Sequence, residues 1–448
     1  MAARAGILTI SARVIAALLA SDYLIIVSVA ALCLFPVYSG YFSLKYDNIA
    51  FDLPIHYFMG EQIVSGDLPI WFNTWNMGFP LQSVFCWGVF STIFLSFSWI
   101  NFPDPSIFHM ELVFFIALSG VTFFKLLKSF GTPNRKMALL LACTYMLSGF
   151  TFGSSQWIFY LSGMALMPLC IYFLLQLLQK KTLKYAILFP VSYLVLFTNT
   201  HVFMSIVCTY IIVGIVAFHT LYAYRNSSLS FYSFIKKYSY PAAAFLLLFF
   251  ICMPPIWYSL ELLPYLDRNT PITRDTVVFQ SNFMHPAGLI TLALPLAAIK
   301  WQMANTEGLM QSVYLGILTP LLALLAFRRF FGTPDAINKI LVIVSLFFLL
   351  VSFGHLLPLR EVLNFLPGFA YFRHPGLFRL FFIAFLLVFI ARSSKGNLSE
   401  ILNNEKNRKM IRYYGAAFLL VILAGIVTAF VGLNGMWKGS LTETIKEA

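Results

Sequence analysis

Two aspartates, Asp47 and Asp52, open the stretch YDNIAFDLPIHYFMGEQIVSGDLP, and His56, Glu61 and Asp67 follow them. The stretch comes directly after the first long apolar run, so its carboxylates sit at a membrane–water boundary. A carboxylate there can act as a general base, because burial beneath a loop raises its pKa toward a working range. The plain alternative is a solvated aspartate that caps a helix or turn. A lone Asp has no diagnostic spacing, and both readings stand at this level. Trp71, Trp75, Trp87 and Trp99 crowd the same region. They read either as an interfacial aromatic belt or as a platform on which a sugar could stack.

Two further clusters could do chemistry. In YSLELLPYLDRNTPITRD, Glu261 lies near the end of a long apolar helix, with Arg268 and Arg274 beyond it. A carboxylate at that depth is a functional candidate by default. In LPGFAYFRHPGLFRLFF, Arg373, His374 and Arg379 stand at the start of an apolar run. They fit either anchoring to lipid headgroups or recognition of one phosphate, whose oxygens match the guanidinium fork. His201, in FTNTHVF, falls in a tight turn between two apolar runs. No His/Cys/Asp cluster has metal-ligand spacing, and neither HExxH nor GxSxG occurs. The sequence requires no cofactor; a divalent ion between Asp47 and a lipid phosphate is compatible with it but not called for.

The elements that must position these residues follow from composition. The 448 residues are 60% hydrophobic and 10% charged, and mean hydropathy is +0.82. Soluble domains carry about 25% charged residues. A cytosolic enzyme, a disulfide scaffold and a disordered chain are all excluded, which leaves a polytopic, all-α membrane protein. The net charge of +13 reads as the Lys/Arg excess of cytoplasmic loops rather than as a nucleic-acid footprint, since no basic tail or RNA-binding motif accompanies it. The six cysteines lie in apolar stretches without a CxxC pair, which points to packing.

A spanning helix needs about 20 mostly apolar residues. Eleven stretches qualify or nearly do: 23–42, 109–127, 137–153, 157–178, 184–199, 202–222, 240–262, 311–327, 338–356, 376–391 and 413–433. Residues 5–20 read as an interfacial helix leading into the first. Two shorter runs, 84–100 and 286–299, are expected to be re-entrant or to lie along the outer surface. If both crossed, the basic loops near 125–136, 180–184 and 225–237 would face outward, against the positive-inside rule. The expected topology is N-terminus in and C-terminus out, a single transmembrane domain over 1–448 with outer segments at 43–108, 263–310 and 357–375. Ile55, Phe58, Met59 and Ile63 share one helical face, so a surface helix ending at Ser65-Gly66 is expected in the first outer segment. No nucleotide-binding motif and no internal repeat is present.

With these residues in place, the chain resembles the YfhO-like family of bacterial membrane proteins, which are similar to GT-C-type glycosyltransferases using a polyprenyl-phosphate sugar. The resemblance covers about residues 20–433. It rests on Asp47 after the first span, Pro54-Ile55 and SGDLPIWFNTWNMGFPL, then PIWYSLELLPYLDR, FMHPAGLITLALP and FRHPGLFR, in that order. The family's Gly-His-Pro-Gln-like turn is here Thr200-His201-Val202-Phe203, matched at the His alone. The resemblance implies a GT-C-like fold in the bacterial inner membrane, with an active site on the extracytoplasmic face. It implies that Arg373, with Arg268, Arg274 or Arg379, holds the donor phosphate, and that Asp47 deprotonates an acceptor hydroxyl with Asp52 as rival base. Glu261, His56, His201, His374, Trp71 and Trp75 would orient the acceptor. That acceptor would be an envelope glycan, lipid or protein, and sugar transfer would invert the anomeric centre. Membrane lipids surround the site, and no nucleic acid takes part. A transporter or flippase for a lipid-linked sugar is the alternative; it predicts ionisable residues deep in the spans, which are few here. A non-catalytic envelope scaffold is a third reading.

Overall fold

The computed structural model describes residues 21–42, 47–67, 71–73, 78–80, 105–131, 134–225, 238–265, 282–292, 294, 308–332, 335–394, 407–409, 411–416 and 420. The first apolar run becomes α1 (Asp22–Cys33), which yields at Leu34 to a turn of helix over Phe35–Tyr38, because Pro36 cannot continue the hydrogen-bond ladder. A π-helical turn over Asn48–Asp52 leads into α2 (Leu53–Val64). A helix is present where one was expected, ending before Ser65-Gly66: Ile55 and Met59 are buried within the protein, and Gly66 follows it with φ +83°. Strands β1 (Trp71–Phe72) and β2 (Phe79–Pro80) form a minimal antiparallel ladder with Trp71 opposite Pro80. Gly78 (φ +96°) lies against the Trp71 indole, where a Cβ would fall 2.2 Å from Nε1.

The bundle proper consists of α3 (Pro105–Ser129), α4 (Arg135–Met146), α5 (Ile158–Lys180), α6 (Leu183–Asn199), α7 (Val202–Arg225), α8 (Ser239–Leu262), α9 (Leu318–Gly332), α10 (Ala336–Ser352) and α11 (Arg379–Ser393). Among the described residues, five segments are long and apolar enough to cross a membrane: Phe108–Ser129, Arg135–Gly153, Ile158–Lys180, Val202–Arg225 and Pro375–Ser393. Four shorter apolar helices accompany them, at Asp22–Cys33, Leu183–Asn199, Ser239–Pro254 and Ala336–Ser352. These apolar helices mark a mostly helical, membrane-embedded protein. Of the expected spans, 413–433 falls almost wholly outside the described residues, as do the 84–100 run and the 5–20 helix. In the 286–299 run, Pro286–Leu292 is a seven-residue 3₁₀ helix, at about 2 Å per residue too short to cross.

Two further expected spans are reshaped. The 137–153 stretch breaks after Met146 and resumes at Gly149–Gly153, where the Gly149 amide donates to the Tyr314 carbonyl at 2.8 Å. The 311–327 stretch turns helical only at Leu318. Its first residues are held open by side chains: the Val313 amide donates to Thr291 Oγ1 at 2.9 Å, and Gln311 bridges Phe283 and His285.

Within lipid, helices associate through close packing and interhelical hydrogen bonds rather than through hydrophobic transfer. Thr122 Oγ1 on α3 donates to the Ala165 carbonyl of α5 at 2.8 Å, and Gly120 lets Ile26 and Met146 approach. Tyr145 on α4 stacks on Phe123 at 4.0 Å and donates to the Met164 carbonyl. Ser345 on α10 donates to the Phe382 carbonyl of α11. The turns that carry Lys128, Arg135, Lys136, Lys180, Lys181 and Arg392 gather at one end of the bundle, where the Arg392 side chain reaches the Phe130 carbonyl and Asp335.

Candidate functional site

The segment between α1 and α2 is clamped to the turn before α5. Asn48 Nδ2 donates to the Ser155 carbonyl at 2.8 Å, and Trp157 Nε1 donates to Asp47 Oδ2 at 2.5 Å. Asp47 is thus partly exposed and has its carboxylate aimed by an indole N–H. Trp157 meets Tyr160, one turn further along α5, edge to face at 5.4 Å. Tyr160 in turn lies 5.3 Å from the His201 ring. Tyr160 and His201 line a small cavity of about 40 Å³ together with Phe203, Phe372, Leu377, Arg373 and His374. A space of that size exceeds what one water needs. The Phe203 amide donates to His201 Nδ1 at 3.2 Å, which assigns the proton of the neutral ring to Nε2. Residues 47, 157, 160, 201, 373 and 374 are therefore linked contact by contact at the end opposite the basic turns.

Asp52 occupies a different environment. It is fully buried, and neither carboxyl oxygen is in full hydrogen-bond geometry with a partner. Burial raises its pKa to about 8; the nearby Ile158 backbone N–H lowers it in part, and the Asp47 charge adds to the rise. His56, one turn on, places Nδ1 2.7 Å from the Asp52 carbonyl. A carbonyl can only accept, so Nδ1 carries the proton. The bare Nε2 faces Glu111 Oε2 at 3.7 Å, and the ring meets Phe108 edge-on. Burial depresses the imidazole to about 4, partly offset by the Asp52 carbonyl. The ring is neutral at pH 7, so its approach to Glu111 is not an ion pair. Glu111, near the start of α3, was not among the sequence candidates. Its signal was a carboxylate inside an apolar run, the same signal that singled out Glu261. Trp157 and Tyr160 were also missed, because nothing local separates them from other interfacial aromatics.

The remaining candidates are dispersed. Arg379 is fully buried, and its guanidinium is committed to backbone: Nε to the Ser312 carbonyl at 3.1 Å, Nη1 to Gly376 at 2.8 Å and Nη2 to Leu309 at 2.7 Å, with Phe150 beneath it. Gly153 leaves it room, since a Cβ there would stand 3.1 Å from Nη2. Arg379, expected among the phosphate-binding residues, thus has all three guanidinium nitrogens engaged by backbone carbonyls. Arg360, in the same outer segment, is buried and spans the carbonyls of Phe369 and Phe372. Glu261 is exposed on α8 and accepts from Trp257 Nε1, one turn earlier, at 2.7 Å. Trp71 is exposed on β1. Arg268, Arg274, Trp75, Trp87 and Trp99 lie outside the described residues. Among the described residues, no three His, Cys, Asp or Glu side chains converge as a metal site. Comparison with protein-family models, with curated proteins and with solved structures returns no match.

Proposed function

We propose that the protein is a membrane glycosyltransferase that moves a sugar from a polyprenyl-phosphate donor to an envelope glycan, lipid or protein on the extracytoplasmic face. One observation carries this reading. A carboxylate aimed by an indole N–H is joined through Trp157, Tyr160 and His201 to a small cavity lined by Arg373 and His374. Asp47 takes the proton of an acceptor hydroxyl, whose oxygen bonds to the anomeric carbon. The bond from that carbon to the phosphate oxygen breaks, with inversion, and polyprenyl phosphate leaves. Arg373 holds the phosphate and stabilises the charge that develops on it. Asp47, rather than Asp52, is the base, because Asp47 is partly exposed and Asp52, at the N-cap of α2, is fully buried. The donor supplies the energy.

The test uses full-length protein in lipid and a panel of radiolabelled polyprenyl-phosphate sugars with envelope extract. Wild type is expected to transfer label, Asp47→Asn to bind donor without transfer, and Arg373→Ala to lose donor binding. Tight donor binding with no transfer by wild type would overturn the reading in favour of a transporter or flippase.

A further inference from the structure

A groove opens on the flank of the bundle, away from the Asp47 site. It encloses about 550 Å³ between α3, α5 and α7 on one side and α10 and α11 on the other, with aliphatic and aromatic walls. Apart from Tyr210, whose hydroxyl donates to the Pro367 carbonyl at the far end, its polar groups gather at one end: Ser129, Gln179, His219 and Arg392. That is the basic end of the bundle, where Lys128 and Lys180 are sequence neighbours of Ser129 and Gln179. Asp335 holds the Arg392 guanidinium in place at 2.8 Å. The opposite end is closed by rings. Phe348, in the groove wall, stacks on Phe378 at 6.0 Å, and Phe378 meets Phe203 edge-on at 4.9 Å. Phe203 lines the Arg373 cavity, so a layer of aromatic side chains separates groove from cavity.

The depth identifies the occupant. Tyr210 and His219 both line the groove from α7; nine residues of helix span about 14 Å. Half of a ~30 Å hydrocarbon core is about 15 Å. We infer that the groove holds one acyl chain of a phospholipid from the leaflet at the basic end, with its phosphate against the rim of Gln179, His219 and Arg392. Lys128 and Lys180, in the last turns of α3 and α5, leave this end basic although Arg392 is paired with Asp335, which suits an anionic phosphate, and apolar walls of one leaflet's depth suit a chain of ordinary length. The polyprenyl-phosphate donor is a different molecule in a different place, since its phosphate belongs beyond the aromatic layer. The inference therefore does not depend on sugar transfer.

Gly214 lines the groove, and a Cβ there meets nothing within 4 Å, so a side chain can start at Gly214 without a clash, and Gly214→Trp puts bulk into the groove. Val344→Trp fills it from the facing wall. Detergent-exchanged full-length protein is mixed with equal concentrations of phosphatidylglycerol and undecaprenyl phosphate, and bound lipid is read by native mass spectrometry. Wild type is expected to retain phosphatidylglycerol, and each variant to retain at least tenfold less while melting as wild type does. Wild type that retains no phosphatidylglycerol, or holds undecaprenyl phosphate in preference at this site, overturns the inference. So does a folded variant with unchanged retention. If neither variant folds, loss of phosphatidylglycerol retention by wild type still overturns the inference, and Gly214→Leu, a smaller filling residue, carries the localisation.

Discussion

Asp47 and Asp52 sit about one π-helical turn apart, and their surroundings set their chemistry. Trp157 gives Asp47 a charge-assisted hydrogen bond, an interaction worth about 1.5–3 kcal/mol. Trp157→Phe keeps the ring against Tyr160 but removes the donor. The transfer rate should fall about tenfold or more with donor affinity unchanged; equal loss of binding would show that Trp157 merely packs the cavity. Asp52 responds to pH instead. Its pKa in the fold is about 8, above the ordinary 3.8. Its contribution to stability is therefore complete below about pH 4 and drains away as pH rises toward 8, at about 1.4 kcal/mol per unit. His56 has the opposite sign: depressed to about 4, it contributes fully above about pH 6.5 and loses that as pH falls. Asp52→Asn removes the first term. Its melting temperature relative to wild type should climb steadily from pH 5 to pH 8, and a flat difference would show that Asp52 is ionised in the fold. The sequence marked Asp47, Asp52 and His56 by type and neighbourhood. It could not mark which carboxylate is sealed, because α3, which carries Glu111 and covers the site, arrives from fifty residues further on.

Arg373 and Arg379 look equivalent in FRHPGLFR, and the element that carries them separates their roles. The chain from Pro375 to Phe378 is 3₁₀, and α11 starts at Arg379. Arg373 is left beside the cavity, whereas Arg379 turns into the bundle toward the open 309–312 segment. Removing the Arg379 fork takes the donor from the buried Gly376 carbonyl, at a cost of about 1–3 kcal/mol, and from the part-buried Ser312 and Leu309 carbonyls, at less. Arg379→Ala should lower the melting temperature sharply, and Arg379→Lys should recover little, because one ammonium cannot serve a fork. Arg373→Ala should destabilise clearly less than Arg379→Ala, because Arg373 is half-buried and Arg379 fully buried. Equal destabilisation by the two alanines would remove the distinction. Element positions were largely legible in the sequence, since apolar runs and Pro or Gly punctuation set α3, α5, α6, α7 and α10 within a few residues. The delayed start of α9 and the break after Met146 were not. Both depend on pairing between segments that are far apart in sequence, Gly149 with Tyr314 and Val313 with Thr291, and hydropathy carries no record of partners.

At the scale of the molecule, two ends of one bundle differ in charge. The turns after α3 and α5 and the end of α11 are basic, while the Asp47 site and the Arg373 cavity share the other end. By the positive-inside rule the basic end is expected to face the cytoplasm, and the proposed site would then lie on the extracytoplasmic face, where a lipid-linked sugar would be used without ATP. The orientation can be tested without any assumption about catalysis. Ser65→Cys, just past α2, and Thr182→Cys, between α5 and α6, would each be placed in a background lacking the native cysteines. A membrane-impermeant maleimide applied to intact cells should label position 65 and spare 182 until the cells are opened. The two positions bracket the bundle through contacts already described: α2 packs under the Asp47 end through His56 and Glu111, and the turn at 182 follows Lys180 and Lys181. The reverse pattern would turn the Asp47 site toward the cytoplasm, where soluble nucleotide-sugar donors could reach it, and would remove the reason for a lipid-linked donor. Labelling of both positions in intact cells would mean that no intact membrane lies between them, against the reading of α3, α5 and α7 as spans.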